Sequence, residues 1–367
     1  MKLRYRILGV LGIVLALALA SLAIAVSYNS PCGGPAALPP GSESMQGVVI
    51  HCYGSPDVLK LEQRAKPTPA DDQLLVKVRA AALNPVDWHF MRGSPYIMRM
   101  ASGIGAPKDP RVGVDFAGTV EAVGKNVTQF KPGDDVFGGA DGAVAEYVVV
   151  RESRGVALKP PNVSFEQAAS VPVAAVTALQ GLRDQGGIKP GQKVLINGAS
   201  GGVGTFAVQI AKHFGAEVTG VCSTRNVDLV RSLGADRVVD YTQEDFAKDA
   251  GYYDLILDNV GNRSLTDLRR ALKPTGTLVI VGGQKGDWIG PMMGVIKASI
   301  VAHFVDQKMG FFIARLDHDD MKLLGELMQS GAVTPVIDRR YPLSETAKAM
   351  EYLEAGRARG KVIVSLE

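Results

Sequence analysis

The stretch "INGASGGVGTFAVQIAKHFGA", residues 196–216, sets a glycine cluster between two apolar segments of different period. Upstream, "KVLIN" (193–197) follows the turn "KPGQ" and is a short continuous apolar run, the pattern of a buried strand. Downstream, Phe206, Val208, Ile210 and Ala211 fall at helical spacing, and Gly215 is placed to stop that helix. Between them lies Gly198-Ala199-Ser200-Gly201-Gly202-Val203-Gly204. Glycines let a backbone turn tightly and approach a pyrophosphate, and a helix N-terminus offers free N–H groups at the positive end of its dipole. Ordinary tight turns use glycines as well. The sequel favours a dinucleotide site, with Ser200, Gly201, Gly202, Val203 and Gly204 as cofactor-binding residues. Strand-like runs recur at "EVTGV" (217–221), "RVVDY" (237–241), "DLILD" (254–258) and "TLVIVGG" (277–283), with helical stretches between several of them. That alternation predicts an α/β fold with a doubly wound parallel sheet, a Rossmann domain.

The second strand of such a sheet ends about 20 residues beyond the loop, where an acidic residue would bind both ribose hydroxyls of NAD. Here the residues are Ser223-Thr224-Arg225. With no carboxylate in that stretch to repel a 2′-phosphate, and a guanidinium able to pair with one, the expected cofactor is NADP(H). A solvated Arg225 and a helix-capping Ser223 are the plain alternatives. Tyr241, after the third strand, is a candidate neighbour of the 2′-phosphate or an edge aromatic. Asn259 and the pair Gly282-Gly283 follow strand ends where a cofactor crosses the sheet.

The rest of the chain bounds the reading. It has 367 residues, 46% of them hydrophobic and 21% charged, which suits two packed domains rather than disorder. A net charge of +3 and the lack of a basic stripe argue against nucleic acid. Cys32, Cys52 and Cys222 are far apart with no CxxC, so neither a structural zinc lobe nor a disulfide framework is expected, and Cys222 reads as strand packing.

Lys2, Arg4 and Arg6 precede an uncharged apolar run, "ILGVLGIVLALALASLAIAV" (7–26). Its 20 residues span roughly 30 Å as a helix, the thickness of a bilayer core. An uncleaved N-terminal membrane anchor is the leading expectation. Ala23-Ile24-Ala25 would also serve a signal peptidase, and a start at Met45 is a third reading. Residues 27–44, "SYNSPCGGPAALPPGSES", read as a linker. The basic residues before the span place the body outside the cytoplasm by the positive-inside rule, against the cytoplasmic supply of NADPH.

Several stretches then resemble the medium-chain dehydrogenase/reductase superfamily, in its zinc-independent quinone oxidoreductase branch. They are "YGSPDVLKLE" (53–62), "AALNPVDWHFMRG" (81–93), "GVDFAGTVEAVGKNVTQFKPGDDVFG" (113–138), "SVPVAAVTALQGL" (170–182), the glycine loop and "GKVIV" (360–364). The resemblance implies a GroES-like, β-rich catalytic domain at 45–165, a Rossmann domain at 166–316, and a segment at 317–367 that returns to the catalytic domain. The runs "LLVKVRAAAL" and "GAVAEYVVV" agree with a β-rich first domain. Asn84 stands where the zinc branch has a cysteine ligand, and Val114-Asp115 replace its His-Glu pair. No metal is expected, and His89 is assigned to local hydrogen bonding.

The resemblance also implies site residues. Asn84, Asp87 and Tyr96 line the cleft, with the Asn84 amide on the substrate oxygen or nicotinamide, or else merely in an Asx-turn before Pro85. Tyr53 and Tyr96 are candidate proton donors, stacking rings or packing residues. Thr177 is placed near the nicotinamide, or bonds back to its own helix. Lys361 reaches the adenosine phosphate or lies solvated on the surface. Phe304 touches the nicotinamide or an apolar dimer edge, and a homodimer is left open. The implied activity is NADPH-dependent reduction of quinones or α,β-unsaturated carbonyls, small-molecule acceptors whose developing charge delocalises onto oxygen without a metal. The alternatives are a non-catalytic NADPH-binding sensor and a zinc alcohol dehydrogenase.

Overall fold

In the computed structural model, which describes residues 2–35, 37–248, 250–288 and 290–366, the glycine loop joins the strand Lys193–Asn197 to the helix Gly202–His213. That strand lies inside a six-stranded parallel sheet ordered Arg237–Asp240, Glu217–Cys222, Lys193–Asn197, Tyr253–Asp258, Leu272–Ile280, Lys308–Phe311. The order reverses between Lys193–Asn197 and Tyr253–Asp258, and a doubly wound sheet binds ligands at such a switch point. Helices cover both faces, so Val194, Leu195 and Ile196 are all fully buried. Gly198 adopts φ +77°, a left-handed turn that starts the loop, and Gly215 at φ +75° follows the end of the helix.

The four later strands lie where the apolar runs predict them, except that the run at 277–283 leaves the sheet at Ile280. The sixth strand, Lys308–Phe311, was not expected. It is a short edge strand of half-buried and exposed residues, so no apolar run marks it.

The second body is a seven-stranded, mostly antiparallel sheet. Its main path runs Ile337–Pro342, Lys361–Ser365, Gln73–Leu83, Asp115–Val123, Asp135–Gly139, Val156–Leu158, with Tyr147–Arg151 also pairing with Gln73–Leu83. The end of the chain returns to this sheet, Val362 facing Leu83. Just before that strand, Gly360 takes φ +84°, and a Cβ there would lie 2.3 Å from the Val336 carbonyl oxygen. The Gly360 N–H donates to the Ser200 carbonyl at 3.0 Å. The two sheets therefore meet at the glycine loop.

The apolar N-terminal run is one helix, Lys2–Ser27, whose membrane-length part is exposed but for the half-buried Ala23 until Val26, which is buried. Two expectations are corrected here. Residues 27–44 are not wholly a free linker, because the Ser30 N–H donates to Gly105 O at 2.9 Å and Asn29 bridges Gly105. Nor are all three cysteines single: Cys32 and Cys52 form a disulfide, and only Cys222 is free and buried. No short motif announces that pair, because docking of the segment after the helix brings the two Cα atoms to 4.7 Å. A bond closing a loop of this size stabilises by about 3 kcal/mol through the unfolded chain.

Candidate active site at the junction of the two sheets

Gly201 heads the helix Gly202–His213 in an extended conformation with no side-chain cap, which leaves first-turn amides for a ligand. A Cβ on Gly204 would lie 2.0 Å from Gly198 O, so that glycine sets the close approach of helix to strand. Gly201 is open by comparison, with only Gly198 O within 4 Å, at 3.4 Å. Around the loop stand two buried oxygens, Asn226 Oδ1 and Asn259 Oδ1, without a partner among the described residues. Asn226 Nδ2 donates to Ser200 Oγ at 2.9 Å, and Asn259 Nδ2 to Asn197 O at 3.0 Å. Gly282 lies against the Asn259 backbone and Gly283 against Pro291 O. Orphan acceptors, free amides and a glycine cradle together fit an extended, hydroxyl-bearing diphosphate such as a dinucleotide. Asn226 was missed in the sequence, where attention fell on Ser223-Thr224-Arg225 and nothing marks the next asparagine as buried.

Val203, in the first turn of the helix Gly202–His213, is half-buried; at the end of Glu217–Cys222, Ser223 is half-buried while Thr224 and Arg225 are exposed. Arg225 Nη2 donates to Arg357 O at 2.9 Å. A carboxylate does stand close by, brought from the next strand: Asp240 accepts from Thr224 Oγ1 at 2.6 Å, from Thr242 and from Gln243. Those donors, Thr224 first, hold its carboxyl below the usual carboxylate range. Tyr241 follows the strand, half exposed, its N–H on Cys222 O.

Beyond the loop, a buried polar cluster faces the junction. The Lys361 stem passes Gly202, where a Cβ would be 3.4 Å from Lys361 Cδ. Its ammonium donates to Asn84 Oδ1 and lies 3.2 Å from Asp115 Oδ2, with the lysine 2% exposed. This corrects the surface alternative for Lys361. Asn84 Nδ2 donates to Asp115 Oδ2 at 2.8 Å, and the Val173 N–H, in the first turn of the helix Pro172–Gln180, donates to Asp115 Oδ1 at 3.0 Å. Asn84 also heads the helix Pro85–Arg92, its N–H donating to Asp87 Oδ2 at 2.7 Å. Its side-chain amide is thus engaged on both atoms.

Burial pushes the Asp87 carboxyl up to about 7, against the Asn84 N–H that favours its charge, and Asp115 adds repulsion. Burial also raises Asp115, opposed by Lys361 and Asn84. In the unfolded chain Asp87 gives up its proton near 3.8. Its contribution to stability is therefore present at acid pH and is lost as pH rises through about 7. Asp87→Asn keeps an acceptor for the Asn84 N–H and removes the charge. Thermal unfolding followed from pH 5 to about 8 is expected to show a shallower decline in the variant, worth a few kcal/mol or several °C at the alkaline end. An unchanged slope would remove Asp87 from that role.

The aromatic candidates are arranged differently. Tyr53 is buried, and its hydroxyl donates to Gly103 O at 2.8 Å beside Ser102 Oγ at 2.9 Å. Tyr96 is half-buried, edge-on to Trp288 at 5.0 Å. The Arg99 guanidinium lies over both rings, 4.4 Å from Tyr53 and 4.6 Å from Tyr96. The Tyr96 N–H donates to Asp287 O and Ser94 Oγ to Asp287 Oδ1, so this loop crosses to the Rossmann side. Thr177 Oγ1 donates to Val173 O at 2.7 Å within its own helix. His89 Nδ1 bonds Ser94 O. Phe304 is 81% exposed in the turn before the edge strand. The structure thus brings Asn84, Asp87 and Lys361 together, joined by the unforeseen Asp115; Thr177 connects to that cluster through Val173, while the Tyr53 hydroxyl bonds Gly103 and Phe304 is exposed.

Comparison with known proteins agrees with this architecture. Residues 70–161 match the alcohol dehydrogenase GroES-like domain, and residues 233–364 match a zinc-binding dehydrogenase domain. The chain is 37% identical to the 2-methylene-furan-3-one reductase of Solanum lycopersicum, over 85% of this chain and 76% of that protein. It is 35% identical to the chloroplastic NADPH-dependent alkenal/one oxidoreductase of Arabidopsis thaliana, over 88% of this chain and 80% of that protein. Among solved structures, the quinone oxidoreductase from Coxiella burnetii superposes with a TM-score of 0.78 at 32% identity, covering 89% of this chain and all of that one.

Proposed function

We propose that this chain, which belongs to the medium-chain dehydrogenase/reductase superfamily as a quinone oxidoreductase-like member, is an NADPH-dependent reductase of α,β-unsaturated carbonyls or quinones. The observation that carries the reading is the meeting of the uncapped glycine loop with the buried Asn84–Asp115–Lys361 cluster across the Gly360–Ser200 hydrogen bond. When bound, the reduced nicotinamide supplies a hydride. The chain supplies the rest. Amides of Gly202, Val203 and Gly204 would hold the pyrophosphate, and Asn226 and Asn259 would offer acceptors to ribose hydroxyls. Ser223, Arg225 and Tyr241 would bind the 2′-phosphate, while Gly282-Gly283 would give the backbone room beside Asn259. Lys361, its charge balanced by Asp115, and the neutral Asn84 amide give the cleft polar groups, where the acceptor oxygen gains charge. Tyr96 forms a wall. We read the domains as 45–165, 166–316 and 317–367, a reading that the return of the last strand to the first sheet supports.

A catalytic zinc, implied by the matched dehydrogenase domain, does not fit these residues. Asn84 is a neutral amide, Asp115 is engaged by Asn84, Val173 and Lys361, and an ammonium already lies among them. We therefore read the reductase as zinc-independent.

The exposed apolar helix supports a membrane anchor through residues 7–26. The Cys32–Cys52 disulfide supports an oxidising compartment for the body, the same side that Lys2, Arg4 and Arg6 assign to it.

The test follows NADPH and NADH oxidation by the detergent-solubilised full chain against a panel of quinones and enones. Turnover with NADPH preferred is expected. In Arg225→Ala the affinity for NADPH should fall about 10-fold or more, the worth of a charge-assisted hydrogen bond, while NADH changes little. Binding of NADPH without turnover of any acceptor would refute the reductase. Equal losses for both cofactors would refute the phosphate contact.

A further inference from the structure

Arg99 is 2% exposed, and among the described residues its guanidinium bonds no carboxylate. Its partners are the carbonyls of Gly93 and Arg92 on its own loop and, on the other side, Val26 O, Tyr28 O and Asn29 Oδ1 at 2.8–3.1 Å. Tyr53 and Tyr96 flank it. Gly93, at φ +58°, leaves the room, because a Cβ there would lie 2.6 Å from Arg99 Nε. The buried cation therefore grips the point where the apolar helix ends. The Ser30–Gly105 hydrogen bond and the Cys32–Cys52 disulfide grip the next residues. Three different bonds within seven residues make a rigid joint rather than a tether.

That joint fixes what lies beside the end of the helix. The helix base packs against the turn Tyr96–Met98. On the same loop Ile97, Met100 and Ile104 are 53%, 54% and 57% exposed, and Tyr28, two residues past Val26, is 56% exposed. Ile104 adjoins Gly105, whose carbonyl accepts from Ser30. A tyrosine just past an apolar span marks the lipid–water interface, so residues paired with 28–30 lie within a few ångströms of that level.

We propose that Ile97, Met100 and Ile104 form an apolar rim that enters the bilayer surface, so that the loop carrying Tyr96, beside the domain junction, rests on the membrane. The proposal builds on the anchor reading and commits to lipid as the partner, because the helix that leaves the body at this rim is itself the membrane-length apolar segment.

The test uses the full chain in phosphatidylcholine–phosphatidylglycerol vesicles whose acyl chains carry bromine. A fluorophore is attached in turn to Met100→Cys, Ile104→Cys, Leu15→Cys within the span and Arg231→Cys on the exposed face of the helix Val227–Ser232. The native cysteines stay silent, two in a disulfide and one buried. Quenching at positions 100 and 104 is expected to exceed that at 231 at least threefold and to approach that at 15. Quenching at 15 with none in excess at 100 and 104 would overturn the rim and leave the anchor standing. No quenching at 15 would overturn the anchor, and the rim with it.

Discussion

Lys361→Met is expected to lower folding stability by about 3–5 kcal/mol, the loss typical when one partner of a buried ion pair is removed. The ammonium touches Asn84 and Asp115 at positions 2% and 0% exposed, so water does not screen the pair or replace the lost partner. Without it, the Asp115 carboxylate keeps only the Asn84 amide and the Val173 N–H, and burial drives it further toward its neutral form. Two signatures separate this from simple loss of packing. The deficit should shrink as pH falls, because protonation removes the stranded charge. Adding Asp115→Asn should recover most of the stability, since the amide that replaces the carboxylate can accept from Val173 and donate to a turned Asn84 amide. Denaturant unfolding of the two single variants and the double, at neutral and acid pH, gives the coupling directly. A Lys361→Met protein as stable as the parent at neutral pH would show that the pair is not a determinant of the fold. Because Lys361 also borders Gly202, the double variant should fold yet bind NADPH more weakly. That would separate the lysine's work for the fold from its work for the cofactor.

What could be read from the sequence depended on how local the signal was. The change from an apolar run to helical period around Gly198–Gly204 is written in consecutive residues, and it located one strand and its helix, whereas the order of the strands came only with the structure. The edge strand Lys308–Phe311 has no such pattern, because none of its four residues is buried. Lys361 was legible as a candidate but not in its role, since its partners lie 277 and 246 residues away. Asp115 was legible only as the absence of a metal ligand. Its actual role needs Asn84, Val173 and Lys361 in one place. Tyr53 illustrates the reverse: an aromatic beside a cleft motif looks chemical until Ser102 and Gly103 are found to occupy its hydroxyl. The disulfide escaped for the same reason, because pairing follows from docking rather than from spacing. Long-range chemistry was hidden wherever the partners came from distant parts of the chain.

Gly204→Ala should damage the protein in a way that Gly201→Ala does not, although both change one glycine of the same loop. At Gly204 the new methyl would lie 2.0 Å from Gly198 O, 2.7 Å from Ala199 Cα and 2.8 Å from Ala199 C. All three are backbone atoms, so no side chain can swing aside. The helix Gly202–His213 must move off the strand, and its buried residues Phe206, Val208 and Ile210 lose packing with it. About 3 kcal/mol or more of destabilisation is expected, with NADPH binding lost as the first-turn amides shift. At Gly201 the methyl meets only Gly198 O, at 3.4 Å, and φ is −84°, which any residue adopts. The Gly201→Ala protein should unfold within about 1 kcal/mol of the parent. Its affinity for NADPH should nonetheless fall about 10-fold or more, because the methyl occupies the side from which a pyrophosphate approaches. Thermal unfolding and cofactor titration on both variants decide the matter. If Gly201→Ala binds NADPH as tightly as the parent, the open side of the loop is not the phosphate site, and the uncapped amides of this helix serve no cofactor.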